Sequence, residues 1–221
     1  MLHAVAILSG LLGRNRNKWK KQSHFPYLPP FYCDRIFYLY FILIHGMTEF
    51  VLFNSTEHLD DFYQMNLESM TWHQDELLEK YQIDIGELLG LTAQDFVDNS
   101  IEKYLDLKPP EGIVVLLLVD NQVAGMLALT KIDNETGELH RMWIRTKYRG
   151  MGLSKPLLKK VLKAGTELGL IKVKLSTPKF AVAAQHLYRS AGFVEIPEYP
   201  ETEVVSTLRH LWVYMETTLL R

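Results

Sequence analysis

The sequence predicts an α/β domain built on a mixed, mostly antiparallel sheet of six to seven strands with helices on both faces. Three observations carry this. Between residues 112 and 144, three strand-length segments follow one another with only tight turns between them, as in an antiparallel meander. The pattern then switches to helix, strand, helix. A last pair of short apolar segments, Val194–Ile196 and Leu211–Met215, closes as a hairpin.

The elements follow in order from Met47. Phe50–Phe53 is a short apolar strand. Asn54, Ser55 and Thr56 offer N-cap side chains to a helix whose apolar positions include Leu59, Phe62, Tyr63 and Leu67. Thr92 and Asp95 have the spacing of a capping box, ahead of a helical stripe through Phe96, Val97, Ser100, Ile101, Tyr104 and Leu105. Pro109 and Pro110 stop that helix. The meander is Gly112–Val119, Val123–Ile132 and Glu138–Ile144, with turns at Asp120-Asn121-Gln122 and Asp133–Gly137. Leu157, Leu158, Val161, Leu162, Ala164 and Leu168 form the next helical stripe. Ile171–Ser176 is a strand, and Ala181–Ala191 a helix ended by Gly192.

Composition narrows the function classes. The chain has 221 residues, enough for one domain with a sizeable core. Of its 24 Lys and Arg and 26 Asp and Glu, six bases and one acid fall in residues 1–46. The remainder therefore carries a net charge of −7, which disfavours a nucleic-acid partner and suits a cationic amine. A single cysteine, Cys33, allows no intrachain disulfide and makes a reducing, cytoplasmic setting the default expectation. No apolar run reaches the ~20 residues that span a bilayer. Residues 1–46, basic and aromatic, read as an extension outside the core fold, with Met47 as its natural start and residues 47–221 as the domain. A membrane-touching or targeting role for the extension is the alternative. No His, Cys and carboxylate spacing points to a metal site.

Between the third meander strand and the next helix lies Tyr148-Arg149-Gly150-Met151-Gly152-Leu153. Alternate glycines let backbone N–H groups approach a ligand from one side. The following helix adds the positive end of its dipole. Pro156, in the first helical turn, loses no needed N–H. The result is a cradle for an anion such as a pyrophosphate, with Lys147, Arg149 and Lys155 as added charge. A ligand-free tight turn would show the same two glycines. The segment is neither a P-loop nor a dinucleotide fingerprint.

Four segments occur in order: Glu138-Leu-His-Arg-Met-Trp-Ile144, Tyr148-Arg-Gly-Met-Gly152, Leu170-Ile-Lys-Val-Lys-Leu-Ser-Thr177 and Ala184-Gln-His-Leu-Tyr188-Arg-Ser-Ala-Gly-Phe193. Together they closely resemble the GNAT superfamily of N-acetyltransferases. The resemblance is strongest from Gly112 to Phe193. One departure is Lys147, where the family's turn usually begins with Gln or Arg. The resemblance implies acetyl-CoA as acyl donor, with Lys147, Tyr148, Arg149, Gly150, Met151, Gly152 and Leu153 holding its pyrophosphate. It implies that Met142, Trp143 and Ile144, at a strand bulge, pair with the pantetheine arm, and that the next strand splays away to admit it. It also implies that residues between the first strand and Pro109 shape the acceptor site, with Tyr63, Trp72, His73, Tyr81 and Phe96 as candidates. Homodimers are frequent in the family.

Transfer of an acyl group from a thioester to an amine needs a base for the ammonium, stabilisation of the carbonyl and a proton for the leaving thiolate. No covalent nucleophile is required. By resemblance, Tyr188 is the general acid; by periodicity alone it would be a core ring. Glu138 lies where some relatives place a base. Strand alternation puts Glu138, His140 and Met142 on one face, which makes His140 the second base candidate. Arg141 falls on the opposite face, as a surface or helix-facing residue. These features together imply an N-acetyltransferase acting on a primary amine of a small molecule or peptide. The alternative is a non-catalytic acyl-CoA-binding regulatory or interaction domain.

Overall fold

The computed structural model describes residues 47–219; the expectations for residues 1–46 lie outside them. Seven strands form one sheet in the order β1-β2-β3-β4-β5-β7-β6. β1 is Thr48–Leu52, β2 Gly112–Val119, β3 Gln122–Lys131, β4 Thr136–Ile144, β5 Lys172–Pro178, β6 Val194–Ile196 and β7 Trp212–Thr218. Every neighbouring pair is antiparallel except β4 and β5. Five helices cover the sheet: α1 (Leu59–Tyr81), α2 (Ile85–Leu89), α3 (Ala93–Leu105), α4 (Ser154–Glu167) and α5 (Val182–Ser190).

The meander and the mixed sheet follow the sequence expectation. β2 is apolar along its whole length because both of its faces are covered. Val115, Leu117 and Val119 pack under α4 and α5, whereas Val114 and Leu116 pack under α1 and α3. Burying one such side chain contributes about 1.5–3 kcal/mol, so this strand anchors both layers. The Thr92–Asp95 capping box forms in full at α3. A cap of this kind stabilises a helix by ~1 kcal/mol.

Two elements differ from expectation. Asn54, Ser55 and Thr56 do not cap α1, whose N-cap is His58. The Asn54 side chain instead accepts from the Thr56 N–H at 2.9 Å, closing its own turn before the helix begins. The short helix α2 is also absent from the sequence reading. Its five residues are too few to show a period, and Asp84 caps it through the Glu87 N–H. β1 begins two residues earlier than expected because Thr48 and Glu49 pair with Val119 and Leu118 of β2.

Candidate active site

Only the first half of β4 is paired on both sides. Its parallel ladder with β5 runs from Thr136–Lys172 to Leu139–Leu175 and stops. Both strands continue, β4 to Ile144 and β5 to Pro178, with a gap between them. On the other side of β4 the register slips. Met126 faces Trp143, but Ala128 faces His140, so two steps along β3 match three along β4. The extra residue falls at Arg141, whose φ of 58° is left-handed. That conformation costs a residue with a Cβ about 1 kcal/mol or more.

This bulge breaks the alternation that the sequence implied. Glu138 and His140 do share a face, with His140 Nε2 3.6 Å from a Glu138 carboxylate oxygen. Met142 does not join them; the inserted residue turns it to the opposite face, into the core beneath α4 and α5. Arg141 stays on the His140 side, where it donates to Ser100 Oγ of α3 at 2.7 Å.

The turn after β4 divides into two parts. Tyr148 and Arg149 donate their N–H groups to Arg145 and Thr146 carbonyls at 2.9 and 3.2 Å, inside a 3-10 turn. Their amides are therefore consumed, and what they present to the cleft is side chain. From Gly150 to Leu153, no N–H meets a backbone acceptor among the described residues. Gly150 and Gly152 have φ of 79° and 73°, and a Cβ at either would meet nothing within 4 Å. Left-handed backbone, not crowding, requires glycine here. Left-handed glycines alternating with ordinary residues turn successive N–H groups to one side, directly before the N-terminus of α4. The Lys147 ammonium lies 2.9 Å from Gln122 Oε1 and lines an adjoining groove instead of the cleft. Met151 packs against the core.

The gap between β4 and β5 opens into a cleft of about 630 Å³. Its floor is Leu139–Ile144 of β4 and its far wall Ser176–Pro178 of β5. One end is closed by the Gly150–Leu153 turn, and the other by an aromatic group that includes Trp72, Phe96, Phe180 and Trp212. Tyr188 of α5 lines it, 5% exposed, and burial raises its pKa above the ordinary phenol value. At neutral pH it is an undissociated donor.

Behind the β4 floor lies a chain of polar groups. Tyr199 donates to Glu138 Oε1 at 2.6 Å. Burial pushes the Glu138 pKa up to about 7, even though the Tyr199 hydrogen bond opposes it. His140 Nε2 lies 2.9 Å from Thr130 Oγ1, and His140 Nδ1 lies 3.7 Å from Glu203 Oε1. Burial lowers the His140 pKa to about 4, against the pull of Glu203, so the imidazole is neutral at pH 7. Burial alone would raise the Glu203 pKa; His140 and Lys103 outweigh it and hold it low. With His140 neutral, Lys103, which is paired with Glu203, is the cation that counts. His140 and Glu203 line the cleft, and Glu138 stands one residue behind it.

A sequence model described as the Acetyltransferase (GNAT) family matches residues 59–193. The chain belongs to this family. The family is one of acetyltransferases. The chain is 36% identical over 94 residues to the N-acetylaspartate synthetase of Homo sapiens, covering 42% of this chain and 31% of that protein. It is 27% identical over 126 residues to an uncharacterised N-acetyltransferase of Schizosaccharomyces pombe, covering 56% and 76% of the two chains. The chain thus spans about a third of the length of the N-acetylaspartate synthetase it matches. Among solved structures, a putative acyl-CoA N-acyltransferase of Klebsiella pneumoniae superposes with a TM-score of 0.57 at 17% identity, covering 79% of this chain and 99% of that one. The PaiA N-acetyltransferase of Thermoplasma acidophilum, solved with coenzyme A, gives 0.57 at 16% identity, covering 78% and 99%. These two likenesses establish the GNAT fold.

Of the residues the sequence singled out, His140, Met142, Trp143, Ile144, Tyr148, Arg149, Gly150, Gly152, Leu153 and Tyr188 line the cleft. Glu138, Lys147 and Met151 do not. Among the acceptor-site candidates, Trp72, His73 and Phe96 line it, whereas the Tyr63 hydroxyl donates to Asp98 at 2.7 Å and the Tyr81 ring stacks on Phe180 from behind. Sequence reasoning missed Tyr199, Glu203, Phe180 and Trp212. Tyr199, Glu203 and Phe180 come from the connections around β5 and β7, where no periodicity or motif marks them, and Trp212 begins β7.

Proposed function

We propose that this chain transfers an acetyl group from acetyl-CoA to a primary amine of a small molecule or peptide, by direct attack in a ternary complex. The observation that carries the reading is the parting of β4 from β5 beyond Leu139 and Leu175, beside the unpaired amides of Gly150–Leu153. Free strand edges suit the amides of a pantetheine arm, and the amide-lined turn suits a pyrophosphate.

In this reading the amine nitrogen attacks the thioester carbonyl, and the C–S bond breaks as the C–N bond forms. Tyr188 gives its hydroxyl proton to the departing thiolate, and the second proton that the nitrogen sheds as the amide forms passes through solvent to restore it. The ammonium proton leaves through His140, which is neutral and faces the cleft, to Glu138 behind it. A group of pKa about 7 is matched to receiving a proton at neutral pH, which His140 alone, at about 4, is not. Glu138 and His140 then act in series instead of as alternatives. The N-acetylaspartate synthetases among the relatives suggest an amino acid as acceptor. A cytoplasmic setting remains part of the proposal, on the single cysteine.

Calorimetry with acetyl-CoA, followed by a free-thiol assay with a panel of amines, tests the reading. Binding below millimolar concentration and amine-dependent thiol release are expected. Absence of acetyl-CoA binding would overturn it.

A further inference from the structure

We propose that Arg141 reads the side-chain carboxylate of the acceptor, so that the amine substrate is an acidic amino acid or a close analogue and not a neutral amino acid, polyamine or simple amine. The inference rests on the acetyl-transfer reading above. It names the substrate class and the residue that selects it.

Three observations converge on Arg141. The bulge in β4 places it in the cleft wall with His140, on a left-handed backbone that only a compensating gain would keep. Its guanidinium is already oriented. Nη2 donates to Ser100 Oγ, and the group sits over the rings of Phe96 and Tyr104 at 5.8 and 5.4 Å. These contacts fix its plane without neutralising it.

Second, it has no anionic partner among the described residues. Arg145 is paired with Asp61 and Glu68, Arg189 with Glu195 and Arg209 with Glu198. The carboxylate that lines the same cleft, Glu203, is paired with Lys103. A half-buried guanidinium with unused N–H groups is a fork for a carboxylate.

Third, the carboxylate that shares the wall, Glu203, feels the Arg141 charge but is matched by Lys103, so the pair leaves the guanidinium charge in excess. His73, also in the wall, is kept neutral chiefly by burial, and its Nδ1 lies 2.7 Å from the Ser69 carbonyl. His140 is neutral as well. The acceptor end of the cleft is thus cationic although residues 47–221 are acidic overall, which reverses the substrate preference that bulk charge implied.

The test compares aspartate and glutamate with their amides and with a diamine as acceptors, using the free-thiol assay, while calorimetry measures acetyl-CoA binding separately. The amino acids bearing side-chain carboxylates are expected to be favoured. Arg141→Gln should raise KM for the acid about 10–100-fold, the range for losing a charge-assisted pair, with KM for the amide and acetyl-CoA affinity unchanged. Arg141→Lys, which keeps charge but not the fork, should fall between the two and shows that the site is intact. A preference for the diamine or amide, or an equal loss for acid and amide, overturns the inference, as does a panel in which no carboxylate-bearing amine is acetylated. Failure of acetyl-CoA to bind is a separate result that overturns the acetyl-transfer reading itself.

Discussion

The two ends of the cleft are built in opposite ways. The Gly150–Leu153 end is made by one short segment of chain, and its properties come from backbone: two left-handed glycines, four amides without backbone acceptors and a helix start. The opposite end is assembled from side chains of α1, α3, β4 and the connections around β5 and β7, distant in sequence and brought together only by the sheet. A backbone site depends on a few conformations and tolerates many neighbours. A side-chain site depends on each of its members and can change its ligand without touching the turn. On the acetyl-transfer reading, the backbone end suits the acyl donor and the assembled end suits the choice of an acceptor.

Perturbing Tyr188, which lines the cleft between the two ends, bears hardest on that comparison. Tyr188→Phe removes the proton donor and keeps the ring that packs 5.7 Å from Phe193. Turnover should fall about 100- to 10,000-fold, the usual worth of a positioned acid. Acetyl-CoA affinity and thermal stability should hardly move. A rate within a few-fold of the parent, in steady-state thiol release, would remove Tyr188 from the chemistry.

A smaller effect is expected at the backbone end. Gly152→Val asks a β-branched residue to adopt a φ of 73°. There is space for the side chain, so the fold should survive. The left-handed backbone should not, because it costs such a residue roughly 1–2 kcal/mol. Relaxation re-aims the amides, and acetyl-CoA affinity should weaken about 10-fold, as calorimetry would read, while the acceptor KM stays put. At the assembled end, Trp72→Ala should do the reverse. Trp72 stacks on Phe180 and Trp143 at 5.4 and 5.7 Å, and its loss should raise the acceptor KM several-fold with acetyl-CoA binding intact. If both variants damaged both ligands equally, the two ends would be one site and not two.

The same contrast explains what the sequence revealed. The meander, the crossover and the glycine turn were legible because each is written in local pattern: alternation, period and turn residues within a few positions. The place of Tyr188 in the cleft wall was expected only through resemblance, since a buried ring in a helical stripe has the same local signature. Arg141 and Met142 were assigned to the wrong faces because a single inserted residue reverses strand alternation, and no glycine marks this bulge. Glu138 was expected on one face with His140, as it is, but its place behind the cleft wall, hydrogen-bonded to Tyr199 61 residues away, has no local signal. Glu203 and Phe180 were missed because loops carry no period to break.

The smallest predicted effect concerns Glu138 and His140 as a buried pair. Glu138 keeps its proton to about pH 7, above the ordinary 4.5. Between those values the folded protein binds more protons than the unfolded chain, so Glu138 makes stability fall as pH rises. His140 has its pKa lowered to about 4 from the ordinary 6.5. Between those values the unfolded chain binds more protons, so His140 makes stability rise with pH. Over the shared window, roughly pH 4.5–6.5, the two slopes oppose each other, and the parent should show little dependence from this pair. Removing one partner exposes the other. His140→Gln should lose stability from pH 5 to 7, by an amount on the order of 1–2 kcal/mol, while Glu138→Gln should gain it from pH 4 to 6.5. Urea unfolding at a series of pH values reads both slopes. Parallel curves for parent and variants would mean that these groups titrate normally and that Glu138 is not tuned to receive a proton.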